Sequence, residues 1–349
     1  MAAAHRLPAA LFGDGIVQAP MAGLSDAALV SACCQAGVVG SLGAGGLQPD
    51  AMRREIVAIR DATDRPFNIN LFVIDERQGA SVPELEQAAL AAYCRDHDLP
   101  FALPERFAPR FRDQLDAVLE AAPPIASFAF GIPDRADLAV LRARGAFVIG
   151  TATSRAELEA WQESGADAVC VQGVEAGGHR GGFLLPDERL GLDALLSELA
   201  PIATVPLIAA GAIMNGADMV AKRRLGAQAV QMGTAFLCCD EAPTPAAYRR
   251  ALLSGRDGTQ TVLTQAFSGR WARGLRNDFI RQFETAPVSP YPIRNALTQP
   301  LRKAATARGD TQNMSLWAGT GVGAIRAMPV AELVAALRAE IATAQPAST

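Results

Sequence analysis

The sequence is poor in the side chains on which unaided protein catalysis and metal binding usually rest. Three histidines occur in 349 residues, His5, His97 and His179, and they form no cluster of metal-ligand spacing. No Gly-x-Ser-x-Gly elbow and no paired carboxylates stand out, so hydrolytic and two-carboxylate chemistry find no support. Six cysteines, at 33, 34, 94, 170, 238 and 239, include no Cys-x-x-Cys pair, and most lie in apolar runs. This excludes a zinc site or disulfide framework and leaves small buried thiols. Charged residues make up 19% of the chain and the net charge is -4. No basic stripe interleaved with aromatics exists, which argues against nucleic acid as a partner. No window of about 18 uninterrupted apolar residues offers a membrane span. The first twelve residues are broken by His5, Arg6 and Pro8, which rules out a signal h-region and leaves a cytoplasmic enzyme of small molecules as the expectation.

What the chain has in quantity is apolar residues, 50% of the total, enough to bury a full-sized core. Short Val- and Ile-rich runs alternate with helical patterns, the signature of βα units around a parallel sheet. Strands are expected at Gly15–Ala22, Val38–Leu42, Phe67–Val73, Ile125–Phe130, Ala146–Gly150, Ala168–Gln172, Val205–Ala210 and Ala229–Gly233. Helices between them start at plausible caps or first-turn positions: Ser25, Pro49, Ser154 and Asn215. Eight strands buried on both faces predict a (β/α)8 TIM barrel; an open sheet with a Rossmann-like crevice is the alternative. Residues 74–124 are too long for one crossover and carry two helical patterns, so they read as an insertion after strand three. The division expected is 1–240 as barrel with that insertion. Residues 241–349, ending in an amphipathic segment at 329–342, form an extension closing over the substrate side. A homodimer is left open.

In such a barrel the chemistry sits where strands end. Strand one ends in Ala19-Pro20-Met21-Ala22-Gly23, strand two in a glycine-rich turn. Strand six leads into Gly173-Val174-Glu175-Ala176-Gly177-Gly178-His179-Arg180-Gly181-Gly182, where glycines surround an acid, an imidazole and a cation. Exposed backbone N–H groups in such a loop can cradle an anion, with Glu175, His179 and Arg180 at the rim. Strands seven and eight end at Gly211 and at Gln231-Met232-Gly233-Thr234, the usual phosphate position of this fold. Together they point to a phosphorylated ligand, best matched by flavin mononucleotide (FMN); plain helix-packing glycines are the competing reading. His179 is the residue nearest to a general base, its ordinary pKa of about 6.5 suiting neutral pH. A structural or phosphate-contacting imidazole is its alternative. With so few protein groups available, a cofactor must carry the reaction.

Taken in order, these motifs resemble the class I nitronate monooxygenases, formerly 2-nitropropane dioxygenases, over nearly the whole chain. The likeness rests on Gln18–Gly23, Pro66–Phe72, Gln172–Gly181, Gln231–Phe236, Ser268–Leu275 and Ser315–Gly319. The resemblance implies an FMN-dependent barrel that oxidises alkyl nitronates, propionate 3-nitronate among them, with O2 to a carbonyl compound and nitrite. It assigns FMN contacts to Met21, Ala22, Gly23, Asn70, Gln172, Gly177, Gly178, Gly211, Gln231, Met232, Gly233 and Thr234. His179 becomes the catalytic residue, and Tyr291 and Lys303, with Asn295 and Thr298 nearby, the substrate side. FMN-dependent NAD(P)H reductases of quinone or enoyl-thioester type share the Glu-Ala-Gly-Gly-His loop and are the alternative. The chain departs from the family twice. Ser127-Phe128-Ala129-Phe130-Gly131 has alanine where the family carries a histidine, which leaves a flavoprotein with altered chemistry as a third reading. Ala212 stands where a second glycine is usual.

Overall fold

A computed structural model describes residues 6–74, 81–254 and 261–344. Eight parallel strands form the central sheet: β1 (Ile16–Gln18), β2 (Gly40–Gly43), β3 (Phe67–Phe72), β4 (Ile125–Ala129), β5 (Phe147–Ala152), β6 (Ala168–Gln172), β8 (Leu207–Ala210) and β9 (Ala229–Met232). The intervening β7 is Gly178–His179 and lies elsewhere. The order β1-β9-β8-β6-β5-β4-β3-β2 brings first and last strands together. The Gln18 N–H donates to the Val39 carbonyl at 2.8 Å and the Val39 N–H to the Ile16 carbonyl at 3.0 Å, so the sheet closes on itself. The result is the (β/α)8 barrel.

The barrel follows from side chains that alternate between two dry faces. Val17, Val39, Ile125, Ile149, Cys170 and Ile208 fill the interior, and Phe12 joins this cluster ahead of β1. The opposite face of the strands packs on the helices through Ile16, Leu42, Phe128, Val169 and Val230. Ser154 and Asn215 cap their helices as expected, their side chains accepting from the N–H of Glu157 and Asp218. At the helix Ala27–Gln35, Asp26 takes the cap and Ser25 does something else. Its hydroxyl oxygen accepts from Met21 N–H and Gly43 N–H, both at 3.0 Å, and donates to the Met21 carbonyl. One hydroxyl thus ties the mouths of β1 and β2 together.

The long crossover after β3 divides. Phe111–Ala121 packs on β3 and on the helix Pro49–Ala62, as an ordinary barrel helix does. Glu84–Asp96 leaves the barrel: its Leu90, Tyr93 and Cys94 join Phe279, Phe283, Leu297 and Leu301 in a separate apolar core. That core belongs to a cap built largely from residues after 240. The cap carries a small antiparallel sheet, β10 (Thr261–Thr264) and β11 (Ala272–Leu275), to which β7 adds as the third strand. The last helix, Val330–Ala344, is not part of this cap. It packs against Gly216–Arg224 and Ala27–Gln35 and so supplies the barrel's missing eighth helix.

Candidate active site

The carboxyl ends of the strands open into a cavity of about 390 Å3. It is lined by all twelve residues assigned to FMN above, from Met21 to Thr234, and also by His179 and Tyr291. Two walls differ in kind. The first is backbone: Gly177, Gly178, Gly211, Ala212, Gly233 and Thr234 present peptide groups with little side chain in front of them. A Cβ on Gly177 would stand 2.5 Å from the Gly319 nitrogen, so only glycine lets those two segments meet. Thr234 Oγ1 accepts from that Gly319 N–H at 3.0 Å, stitching the cap segment to the eighth barrel strand end. Gly211 has φ +138° and Ala212 φ +50°, a turn in which alanine occupies the left-handed region that costs about 1 kcal/mol outside glycine.

The strands supply a polar floor. Ser127 Oγ accepts from Asn68 Nδ2 and Asn70 Nδ2, at 2.9 Å each, while Asn68 Oδ1 is buried without a partner. Gln172 braces the glycine loop against its own strand: Nε2 donates to the His179 carbonyl at 3.1 Å, and Oε1 accepts from Gly181 N–H at 2.7 Å.

The second wall is aromatic and cationic. Phe72 and Phe130 stack at 4.3 Å between centroids, and Phe130 itself has φ +74°, a strained value for a bulky residue. Arg270 lies over the Phe130 ring at 3.9 Å and donates to the Arg180 and Gly182 carbonyls. The His179 ring sits 5.6 Å from Tyr291 and 5.5 Å from Trp317. His179 Nε2 lies 2.9 Å from Ser268 Oγ, whose hydroxyl donates to the Arg270 carbonyl at 3.1 Å. Ser268 has one proton, so it accepts from Nε2–H, and Nδ1 is left as the bare nitrogen. Burial, then Arg270 and Arg302, push the His179 pKa down to about 3. The imidazole is therefore neutral at pH 7 and a poor proton acceptor. Burial likewise moves Tyr291 up to about 12 and Arg302 down to about 10, so both keep their protons at neutral pH.

Three expectations are corrected. Glu175 is not a rim acid: its carboxylate accepts from Leu192 N–H at 3.0 and 3.2 Å and caps the helix Leu192–Leu199. Arg180 is buried against Asp187 at 3.0 Å and the Gln172 carbonyl. Lys303 is exposed to solvent, because one step along the helix Ile293–Arg308 rotates it about 100° from its neighbour Arg302, which lines the cavity. Thr298 is buried, donating to the Phe267 carbonyl at 2.5 Å. Tyr291, Asn295, Gln299 and Arg302 share the cavity wall, at the three- and four-residue steps that put side chains on one side of a helix. The polar groups Ser268, Arg270 and Arg302 carried no sequence signal of their role.

A closed parallel barrel with a backbone cradle at strands seven and eight and a cofactor-sized cavity at its mouth defines a ligand-binding TIM-barrel enzyme. The family model for nitronate monooxygenases matches residues 10–340. Curated relatives include a nitronate monooxygenase of Paraburkholderia phytofirmans, 41% identical with 93% of this chain and 92% of that one covered. Another, from Pseudomonas aeruginosa, is 40% identical over 93% and 95%. Among solved structures, a nitroalkane oxidase of Streptomyces ansochromogenes superposes with TM-score 0.90 at 41% identity, covering 96% and 97%. FabK of Thermotoga maritima does so with TM-score 0.76 at 26% identity, covering 95% and 94%. The chain belongs to the nitronate monooxygenase family and is an oxidoreductase.

Proposed function

We propose that this protein is an FMN-dependent nitronate monooxygenase that oxidises alkyl nitronates with O2 to a carbonyl compound and nitrite. The residues present fit the cofactor. A cradle of small residues at Gly211, Ala212, Gly233 and Thr234 suits a phosphate, and the Asn70 and Ser127 floor suits the polar edge of a flat ring. Bound FMN supplies the one-electron redox chemistry that no side chain here can provide.

The remaining work falls to the chain. The single observation that carries the reading is the composition of the second wall: the Arg302 guanidinium beside a neutral imidazole and a protonated phenol, with Arg270 over the Phe130 ring. Such a chamber stabilises an anion rather than creating one. A nitronate already has the negative charge and needs no base, whereas a neutral nitroalkane must lose a proton first. Neither Ala129 nor His179, with its pKa near 3, takes that proton at pH 7. The aromatic rings of Phe72, Phe130, Tyr291 and Trp317 line the cavity and limit water within it.

The test is oxygen consumption by purified, FMN-loaded protein with ethyl nitronate and propionate 3-nitronate, and with the parent nitroalkanes at equal concentration. Turnover of the nitronates, nitrite release and much slower use of the nitroalkanes are expected. Rapid anaerobic bleaching of the flavin by NADH or NADPH, with none by nitronate, would replace this reading with a reductase.

A further inference from the structure

The cation at position 302 is held in a way that leaves part of it free for a ligand. Its Nε donates to the Thr298 carbonyl at 3.3 Å and to Thr298 Oγ1 at 3.2 Å. Its Nη2 donates to the Asn295 carbonyl at 2.8 Å and to Asn295 Oδ1 at 2.9 Å. These bonds fix the guanidinium against its own helix and engage every hydrogen except the two on Nη1. Among the described residues no acceptor meets Nη1, and no carboxylate forms an ion pair with Arg302. The side chain lines the cavity, with Tyr291 on the same wall, and the Tyr291 hydroxyl has no hydrogen-bond partner among the described residues. An immobilised cation without a counter-ion in a cavity wall is costly unless an anion meets it there.

We propose that Arg302 Nη1, with the Tyr291 hydroxyl beside it, is the seat for a planar oxyanion of the substrate. The shared chemistry is a flat group with two oxygens and one negative charge, which a nitronate and a carboxylate both offer. This deepens the proposed function, on which its link to turnover rests. The seat differs from the residue expected from the sequence: Lys303 is one position along and faces solvent. It also differs from His179, which offers a lone pair and repels an anion at neutral pH unless a proton is shared.

Anion binding is read first, by calorimetry on the FMN-loaded protein, with sodium propionate as the carboxylate probe and sodium nitrate as the planar nitro-like probe. The wild type is expected to bind at least one of them. Arg302→Gln should weaken that binding about tenfold or more, and Arg302→Lys by less, since it keeps the charge but loses the braced geometry. Lys303→Gln on the same helix should leave binding unchanged. Should Arg302→Gln fail to fold, the wild type carries the test, because propionate binding at this seat must weaken as ionic strength rises. Turnover then separates the sources. A rise of about tenfold in KM for ethyl nitronate in Arg302→Gln assigns the seat to the nitronate group. A rise confined to propionate 3-nitronate assigns it to the carboxylate. Equal anion affinity in wild type and Arg302→Gln, or no binding of either probe by the wild type, overturns the proposal. If the anions bind through Arg302 but no nitronate is consumed, the seat stands and the proposed function falls. If nitronates are consumed with KM unchanged in Arg302→Gln, the reverse holds.

Discussion

The cap is tied to the insertion by a buried ion pair whose removal has a calculable cost. Glu86 and Arg294 meet at 3.1 Å with side chains 5% and 1% exposed. The Glu86 carboxylate also accepts from Ser289 N–H at 3.0 and 3.1 Å and from the Ser289 hydroxyl. Arg294 Nε donates to the Ala266 carbonyl at 2.7 Å, while its Nη2 has no partner. Glu86→Ala therefore strands a buried guanidinium that is already one hydrogen bond short, a loss of about 3–5 kcal/mol. Scaled to the unfolding entropy of a chain this size, that lowers Tm by roughly 4–7 °C. Replacing the pair together, Glu86→Leu with Arg294→Met, removes both charges and strands only neutral groups, the Ser289 N–H and hydroxyl and the Ala266 carbonyl, in place of a buried guanidinium. The double variant should then be more stable than Glu86→Ala alone. Urea unfolding followed by tryptophan fluorescence measures all three. A loss below about 1 kcal/mol in Glu86→Ala, or a double variant as damaged as the sum of its singles, would refute the view that the pair is coupled and dry.

Two further outcomes follow from the site. Because the folded pKa of His179 lies near 3 and the unfolded one near 6.5, the unfolded chain takes up a proton that the folded chain refuses. The associated stability is complete above pH 6.5 and falls by about 1.4 kcal/mol per pH unit below it, down to the folded pKa. His179→Gln should flatten this stretch of a stability–pH curve measured by urea midpoints between pH 7 and pH 4; an unchanged slope would mean the imidazole is hydrated and charged. Gly177→Ala puts a methyl 2.5 Å from Gly319 N and 2.6 Å from Ala318 C, parting the cap segment from the cradle. Purified protein should retain its circular dichroism while its FMN content drops severalfold; full FMN occupancy would show that this wall yields.

The barrel was legible because its strands are buried on both faces, which writes them as short apolar runs regardless of partner. Ala168–Gln172 has the same limits in sequence and structure. Elements whose existence depends on distant pairing were not legible. Thr261–Thr264 and Ala272–Leu275 are four residues each and pair with each other, and the third strand, Gly178–His179, is two residues from a distant loop. The helix Ile293–Arg308 hid behind Pro300, which ordinarily signals a break. The amphipathic last helix showed which face it buries but not that the partner is the barrel flank. Within the site, glycines at strand ends pointed to the cradle. Side chains that act through burial, such as Arg302, gave no such sign, since nothing in a sequence says that an arginine lacks a counter-ion.

That last point bears on the substitution of alanine for the family's histidine at 129. Ala129 lines the cavity next to the strained Phe130, whose N–H donates to the Gly181 carbonyl at 2.8 Å in the glycine loop. The strand end thus keeps its shape and its link to the His179 loop although the imidazole is gone. The remaining histidine is neutral, hydrogen-bonded through Nε2 and flanked by two cations that oppose its protonation. Burial makes His179 a weak base, and the cations that add to that effect favour an anion bound beside it. On the proposed function, such a chamber disfavours proton abstraction and favours a substrate that arrives deprotonated, so the alanine at 129 and the unpaired Arg302 act in one direction. Under the proposed function, the selectivity expected of this arrangement is nitronate in preference to nitroalkane.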